Sequence, residues 1–94
     1  MKPYVLEVGL QILDWQEKDI QPTFSGLVKT LDGRITRNQI SEALDYLYDL
    51  CVLKQCYEAV GTRWQRVLRL NTVGMDFMQK IMAQVTKDGL QKSN

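Results

Sequence analysis

One segment limits the possible folds of this chain more than any other: a helix signal beginning at Thr36, followed at once by two strand-like segments. The run from Thr36 to Gln39 has the pattern of a capping box, in which its first and last side chains each bind a backbone donor. Apolar residues then recur at helical spacing: Ile40, Leu44, Leu47 and Cys51. The pattern predicts a helix from Thr36 to about Val52, with Cys51 on its buried stripe.

Three further helices are predicted from apolar periodicity and capping residues. Pro3 suits a first helical position, Thr23 can cap a second helix, and Asn71 or Thr72 can cap the last one. Gly33 lies in a four-residue turn before the long helix, a suitable length for a helix-turn-helix. The predicted ranges are Pro3 to about Lys18, Phe24 to Leu31, and 72 to about 86.

Between the long helix and the last one, two segments rich in β-branched and aromatic residues predict a hairpin. The strands are expected at 53–58 and 63–70, joined by a tip that contains Gly61. Along the second strand, Trp64, Leu68 and Leu70 share one face, on which Arg66 is the exception. The fold class is therefore predicted as mainly α with a small β-hairpin, an α+β domain spanning 1–86, followed by a flexible tail at 87–94.

Composition restricts the classes of function. The 94 residues include no histidine, two cysteines and no apolar run of the roughly 20 residues that a membrane span needs. We expect no membrane association, no metal site, no cofactor and no enzymatic activity, because the common general base and the phosphate-binding loops are missing. No secretory signal is visible, so we expect a cytoplasmic protein with reduced thiols.

The order of elements, and the stretch from Val67 to Gly74, resemble the small winged-helix transcription regulators of prokaryotes of the PadR and MarR types. Many of these place a Leu-Thr-x-x-Gly pattern at the end of the wing; here Leu70 and Gly74 match while Asn71 stands in place of Thr. The resemblance covers nearly the whole chain. It implies a winged helix-turn-helix fold and a homodimer bound to double-stranded DNA, with the third helix as recognition helix, the hairpin as wing and the last helix in the dimer interface. It leaves open whether a small-molecule effector binds.

Physical reasoning places the candidate nucleic-acid contacts on the third helix, the turn before it and the hairpin. Asn and Arg side chains match base edges, and basic residues attract phosphates. The candidates are Arg34, Arg37, Asn38, Ser41, Lys54, Arg63 and Arg66. Three carboxylates on the outward face of the same helix oppose this interpretation: Glu42, Asp45 and Asp49.

The last helix carries a wide apolar stripe that a domain of this size has few elements to cover. We therefore expect a dimer seam, although this helix could instead fold back on its own chain. The candidate seam residues are Met75, Phe77, Met78, Ile81, Met82 and Val85.

The alternative function is a winged-helix module that binds another polypeptide within a larger assembly. One contiguous basic surface would favour DNA, and separated charges would favour this alternative.

Overall fold

The computed structural model describes the backbone of residues 1–92 and the side chains of 1–59 and 61–84. Over these residues the chain is an α+β domain of four helices and one antiparallel two-stranded hairpin, which confirms the predicted class. The elements are α1 (Pro3–Glu17), α2 (Phe24–Thr30), α3 (Arg37–Asp49), β1 (Leu53–Val60), β2 (Arg63–Leu70) and α4 (Thr72–Lys92). Helix α4 thus continues six residues beyond its predicted end, through most of the predicted tail; residues 93–94 lie outside the described part.

The predicted starts of α2, α3 and α4 are confirmed by side-chain capping hydrogen bonds. Thr36 accepts from the Gln39 amide at 3.1 Å while the Gln39 side chain accepts from the Thr36 amide at 3.0 Å, which completes the capping box. The Thr23 hydroxyl accepts from the Gly26 amide at the start of α2. Of the two candidates for α4, Asn71 is the cap, because its side-chain oxygen accepts from the Gly74 amide at 2.8 Å.

The predicted end of α3 is wrong, and Cys51 is exposed rather than buried. The helix stops at Asp49, and Cys51 takes the left-handed conformation with φ 60°. The Cys51 amide donates to Tyr48 O and the Val52 amide donates to Leu47 O, the two bonds of a Schellman motif. This left-handed residue changes the direction of the backbone, and as a result Val52 is buried in the core instead of Cys51.

The hairpin is longer than predicted and closes through two residues, Gly61 and Thr62. Gly61 has φ 65°, which the first position of a tight hairpin turn requires. At the base of the hairpin Leu53 pairs with Leu70, and both are buried. The link before α2 lies along the outer edge of β2, where the Leu68 amide donates to Pro22 O at 2.8 Å.

The core lies between the helices and the base of the hairpin. Its fully buried side chains include Ile12 and Leu13 of α1, Leu27 of α2, and Ile40 and Leu47 of α3. Helix α1 is the central element and contacts α3, α4 and β2. In the described part of the chain no helix is long and apolar enough to cross a membrane.

Helix α4 packs on its own chain, which corrects part of the predicted dimer seam. Met78 is fully buried and contacts Gly9, while Met75 and Ile81 are partly buried against the core. Met78 is therefore a core residue, and the partly exposed Met75 and Ile81 remain predicted seam residues. Phe77 and Met82 remain 38% and 39% exposed, and the side chain of Val85 lies outside the described residues.

Candidate nucleic-acid interface

The first two turns of α3 present three of the candidate contact residues to solvent. Arg37, Asn38 and Ser41 are all exposed. The Arg37 guanidinium lies 5.1 Å from the centre of the Phe24 ring at the start of α2, an arrangement that holds a cation over an aromatic face. The capping box fixes where the helix begins, and therefore which side chains stand at its leading end.

Arg66 of β2 joins this surface across a groove of about 300 Å³ between α3 and the hairpin. Phe24 and Leu68 form apolar parts of the groove wall, and Ser41, Asp45 and Arg66 form polar parts. Arg37, Ser41 and Arg66 are therefore brought together around Phe24, a residue that the sequence analysis did not select. The stripe of exposed positions on α3 predicts Arg37 and Ser41, but no local pattern reveals that Phe24 lies between them and Arg66.

The Tyr48 hydroxyl is buried beside this groove, and within the described residues it forms no hydrogen bond of good geometry, although the Gln55 amide lies close enough to influence it. Burial raises the pKa of Tyr48, an effect partly offset by the nearby Gln55 amide and the Arg66 charge. A buried hydroxyl without a partner can donate to or accept from a group that enters the groove.

The Glu42 carboxylate accepts hydrogen bonds from residues that the sequence analysis overlooked. The Tyr4 hydroxyl donates to its Oε2 atom at 2.5 Å, and Lys2 Nζ lies 3.2 Å from Oε1. These two hydrogen bonds lower the pKa of Glu42, with the Tyr4 bond contributing most. The carboxylate is therefore engaged by the start of α1, which weakens the objection that it would repel a phosphate backbone.

Two carboxylates on α3 are not offset in this way. Asp45 and Asp49 are exposed and, among the described residues, form no ion pair. Asp49 lies in the last turn of α3, at the opposite end from Arg37 and Asn38. Asp45 lines the same groove as Arg66, so this groove carries one carboxylate as well as one cation.

The remaining candidate contacts are not part of this cluster. Arg34 forms an ion pair with Glu7 of α1 at 2.8 Å. Lys54 pairs with Arg69 across the hairpin, so both lie on the face opposite Arg66, and Arg63 shares that opposite face by strand alternation. The basic residues thus form one cluster at the start of α3 and a second on the far side of the hairpin.

The opposite hairpin face also holds a closed ion-pair network. Arg69 donates to both carboxylate oxygens of Glu58, at 2.6 and 2.7 Å, and Gln21 donates to the same carboxylate at 3.0 Å. These bonds, that from Arg69 first, lower the pKa of Glu58 to about 2. Glu58 is the only acidic residue in 53–70, so the hairpin's one negative charge is already paired.

Comparison with protein-family models found no match, and neither did comparison with curated proteins. The geometry of the described residues therefore carries the functional argument. Two thiols are free, that of Cys51 after α3 and that of Cys56 within β1. The described residues contain no group of three or more acidic or thiol side chains suited to a metal ion.

Proposed function

We propose that this protein is a winged helix-turn-helix transcription regulator that binds double-stranded DNA sequence-specifically as a homodimer. In this proposal α3 is the recognition helix in the major groove and the hairpin is the wing on the backbone or minor groove. The observation that carries it is the exposed cluster of Arg37, Asn38 and Ser41 at the capped start of α3, with Arg66 beside it. The proposal includes a cytoplasmic location for the protein, because the DNA of prokaryotes lies in the cytoplasm.

The chemistry of the cluster suits both parts of such an interface. Asn38 offers the paired donor and acceptor that match an adenine edge, and Arg37 can donate two bonds to guanine. Arg66 supplies a charge for a phosphate, which adds affinity that weakens as salt rises. The exposed Phe77 and Met82 of α4 are the described candidates for contact with a second copy. In a two-fold dimer the two α3 helices would occupy successive major grooves about 34 Å apart.

Selection from a pool of random double-stranded DNA across a salt series tests the proposal, with the oligomeric state recorded in the same buffer. We expect enrichment of a two-fold symmetric sequence and a steep loss of affinity as salt rises. Arg37→Ala or Asn38→Ala should weaken binding to the selected site about 5- to 150-fold without unfolding the protein. The matched control is Lys80→Ala, which removes a charge paired with Asp76 on α4, away from the cluster. Absence of retention at low salt would refute the proposal.

A second candidate function is a module that binds another polypeptide. It is favoured by the position of Lys54 and Arg63 on the hairpin face opposite Arg66, which divides the basic residues into two clusters. The selection experiment separates the two functions, because this candidate predicts no salt-dependent retention of DNA.

A further inference from the structure

The outer half of the hairpin exposes two large aromatic rings on one face. Tyr57 pairs with Arg66 and Ala59 pairs with Trp64, and directly opposed residues of an antiparallel pair point to the same side. Trp64 is 74% exposed and Tyr57 is 68% exposed. Sequence periodicity placed Trp64 on the core face with Leu68 and Leu70, but the hairpin extends beyond the core, so that face emerges into solvent. Clustered exposed rings of this size mark a binding surface.

We propose that this aromatic face, Tyr57 and Trp64 with Arg66 beside them, stacks on unpaired bases of a single-stranded DNA segment adjoining the duplex at α3. The inference rests on the proposed function and extends it from a plain duplex to a duplex with an unpaired stretch. Every base has a flat face that an aromatic ring can stack on, so such binding needs no particular sequence.

The spacing of the two residues that carry the rings suits a base. Tyr57 and Trp64 are diagonal neighbours across the two strands, a relation that separates residues by roughly 7–8 Å. A base stacked between two rings needs roughly twice the 3.4 Å rise of a nucleic-acid strand. One base can therefore fit between the rings, or successive bases can lie over each of them.

The charge of the hairpin favours a nucleic acid over an apolar protein surface. Residues 53–70 contain Lys54, Arg63, Arg66 and Arg69 against Glu58 alone. Because Arg69 binds both oxygens of Glu58, the exposed charge that remains is positive. Arg66 lies on the aromatic face itself, where it can bind the phosphate next to a stacked base.

A continuous path leads from the aromatic face to the start of α3. A groove of about 450 Å³ is lined by Tyr57 and Arg66 of the hairpin and by Phe24 of α2. Arg37 lies over the same Phe24 ring. A strand that leaves a duplex at Arg37 can thus follow this groove past Phe24 to Tyr57 and Arg66, with Trp64 two residues from Arg66 on β2.

Tryptophan fluorescence can report on this face directly. Trp15 is partly buried against the core, so the Trp15→Phe variant, checked for folding by circular dichroism, leaves Trp64 as the only tryptophan. The first probe is a thymidine oligonucleotide of about 12 nucleotides, a length within the usual site sizes of ~4–16 nucleotides. The other probes are the matching uridine oligonucleotide, a blunt duplex, and that duplex with a thymidine tail. We expect strong quenching by the thymidine strand and the tailed duplex and weak quenching by the blunt duplex.

Substitutions identify the rings involved. Trp64→Ala and Tyr57→Ala should each weaken binding of the thymidine strand about 5- to 150-fold, whereas Trp64→Phe should retain most of the affinity. The matched control is Val73→Ala, which shortens a 68% exposed apolar side chain on α4 and should change nothing.

Three outcomes would overturn the inference, and a fourth would overturn the proposed function instead. Equal quenching by the blunt duplex and the single strand would assign the face to duplex DNA, and preference for the uridine strand would assign it to RNA. If the selected duplex binds through Arg37 while the thymidine strand is not retained, the inference fails and the proposed function stands. If the strand binds through Trp64 while no duplex site is enriched, sequence-specific duplex binding fails instead.

Discussion

Replacement of Met78 by Ala should destabilise the domain strongly, because this side chain is fully buried between α1 and α4. Met78 is fully buried, and its partner across the α1–α4 contact is a glycine. A Cβ atom placed on Gly9 would lie 2.5 Å from Met78 Cε and 2.8 Å from Sδ, so the thioether end lies directly against the α1 backbone. Met→Ala at a buried site costs about 2–5 kcal/mol. That is a large part of the ~5–15 kcal/mol by which a domain of this kind is stable.

Two further substitutions make this prediction specific. Met82→Ala removes the same atoms from a position that is 39% exposed on the same helix, and should cost about 1 kcal/mol or less. Gly9→Ala should stabilise the Met78→Ala variant by about 1 kcal/mol, because alanine favours a helix and the space is then free. In the wild-type background the same change must displace the Met78 methyl, so the two substitutions are coupled.

Urea denaturation followed by far-UV circular dichroism measures these differences, and it should be repeated at several protein concentrations because dimerisation would add to the apparent stability. Equal costs for Met78→Ala and Met82→Ala would refute the assignment of Met78 to the core. An effect of Gly9→Ala that is the same in both backgrounds would refute the contact between α1 and α4.

Three other predictions follow from single contacts. The hydrogen bonds from Arg69 and Gln21 lower the pKa of Glu58 to about 2. The ionised pair therefore contributes its full stabilisation above the unfolded-state pKa of about 4.3, and this contribution is lost as pH falls towards 2. Glu58→Gln should therefore reduce the loss of stability between about pH 5 and pH 2, and an unchanged acid profile would contradict the pairing. Cys51→Gly should raise the unfolding free energy by up to about 1 kcal/mol, which corresponds to a gain of about 4–8 °C in Tm. Cys51→Ala should give no such gain, since glycine adopts φ 60° without strain and alanine does not. Thr36→Ala should cost about 1 kcal/mol in thermal or urea unfolding and Thr36→Ser far less; equal costs would mean that the capping hydroxyl contributes nothing.

The parts of the fold that the sequence predicted well are those set by short-range chemistry. The capping box at Thr36, the cap at Thr23 and the glycine at the hairpin tip each depend on residues within four positions of one another. Such interactions need no knowledge of the rest of the chain. The start of the long helix and the position of the hairpin were therefore predicted correctly from local patterns.

The error at Cys51 came from a local reversal of the backbone, and the others came from contacts between distant segments. Helical spacing assigns Cys51 and Met78 to apolar stripes, but it does not say where a helix reverses or which element covers its stripe. Met78 is covered by Gly9, 69 positions earlier, and Glu42 is bound by Tyr4, 38 positions earlier. A glycine opposite a methionine leaves no signal in either local pattern.

The position of the candidate interface depends on the same reversal that the sequence analysis missed. The Schellman motif ends α3 and buries Val52 within three residues, so β1 starts directly from the base of the core. Leu53 and Leu68 are then buried at the base of the hairpin, while Arg66, one alternation further out, emerges beside Ser41. A helix continuing to Val52 would have carried the hairpin about 4–5 Å further along the axis of α3, at 1.5 Å per residue, and away from Ser41. The left-handed backbone at Cys51 therefore helps to bring the charge of the hairpin to the start of α3.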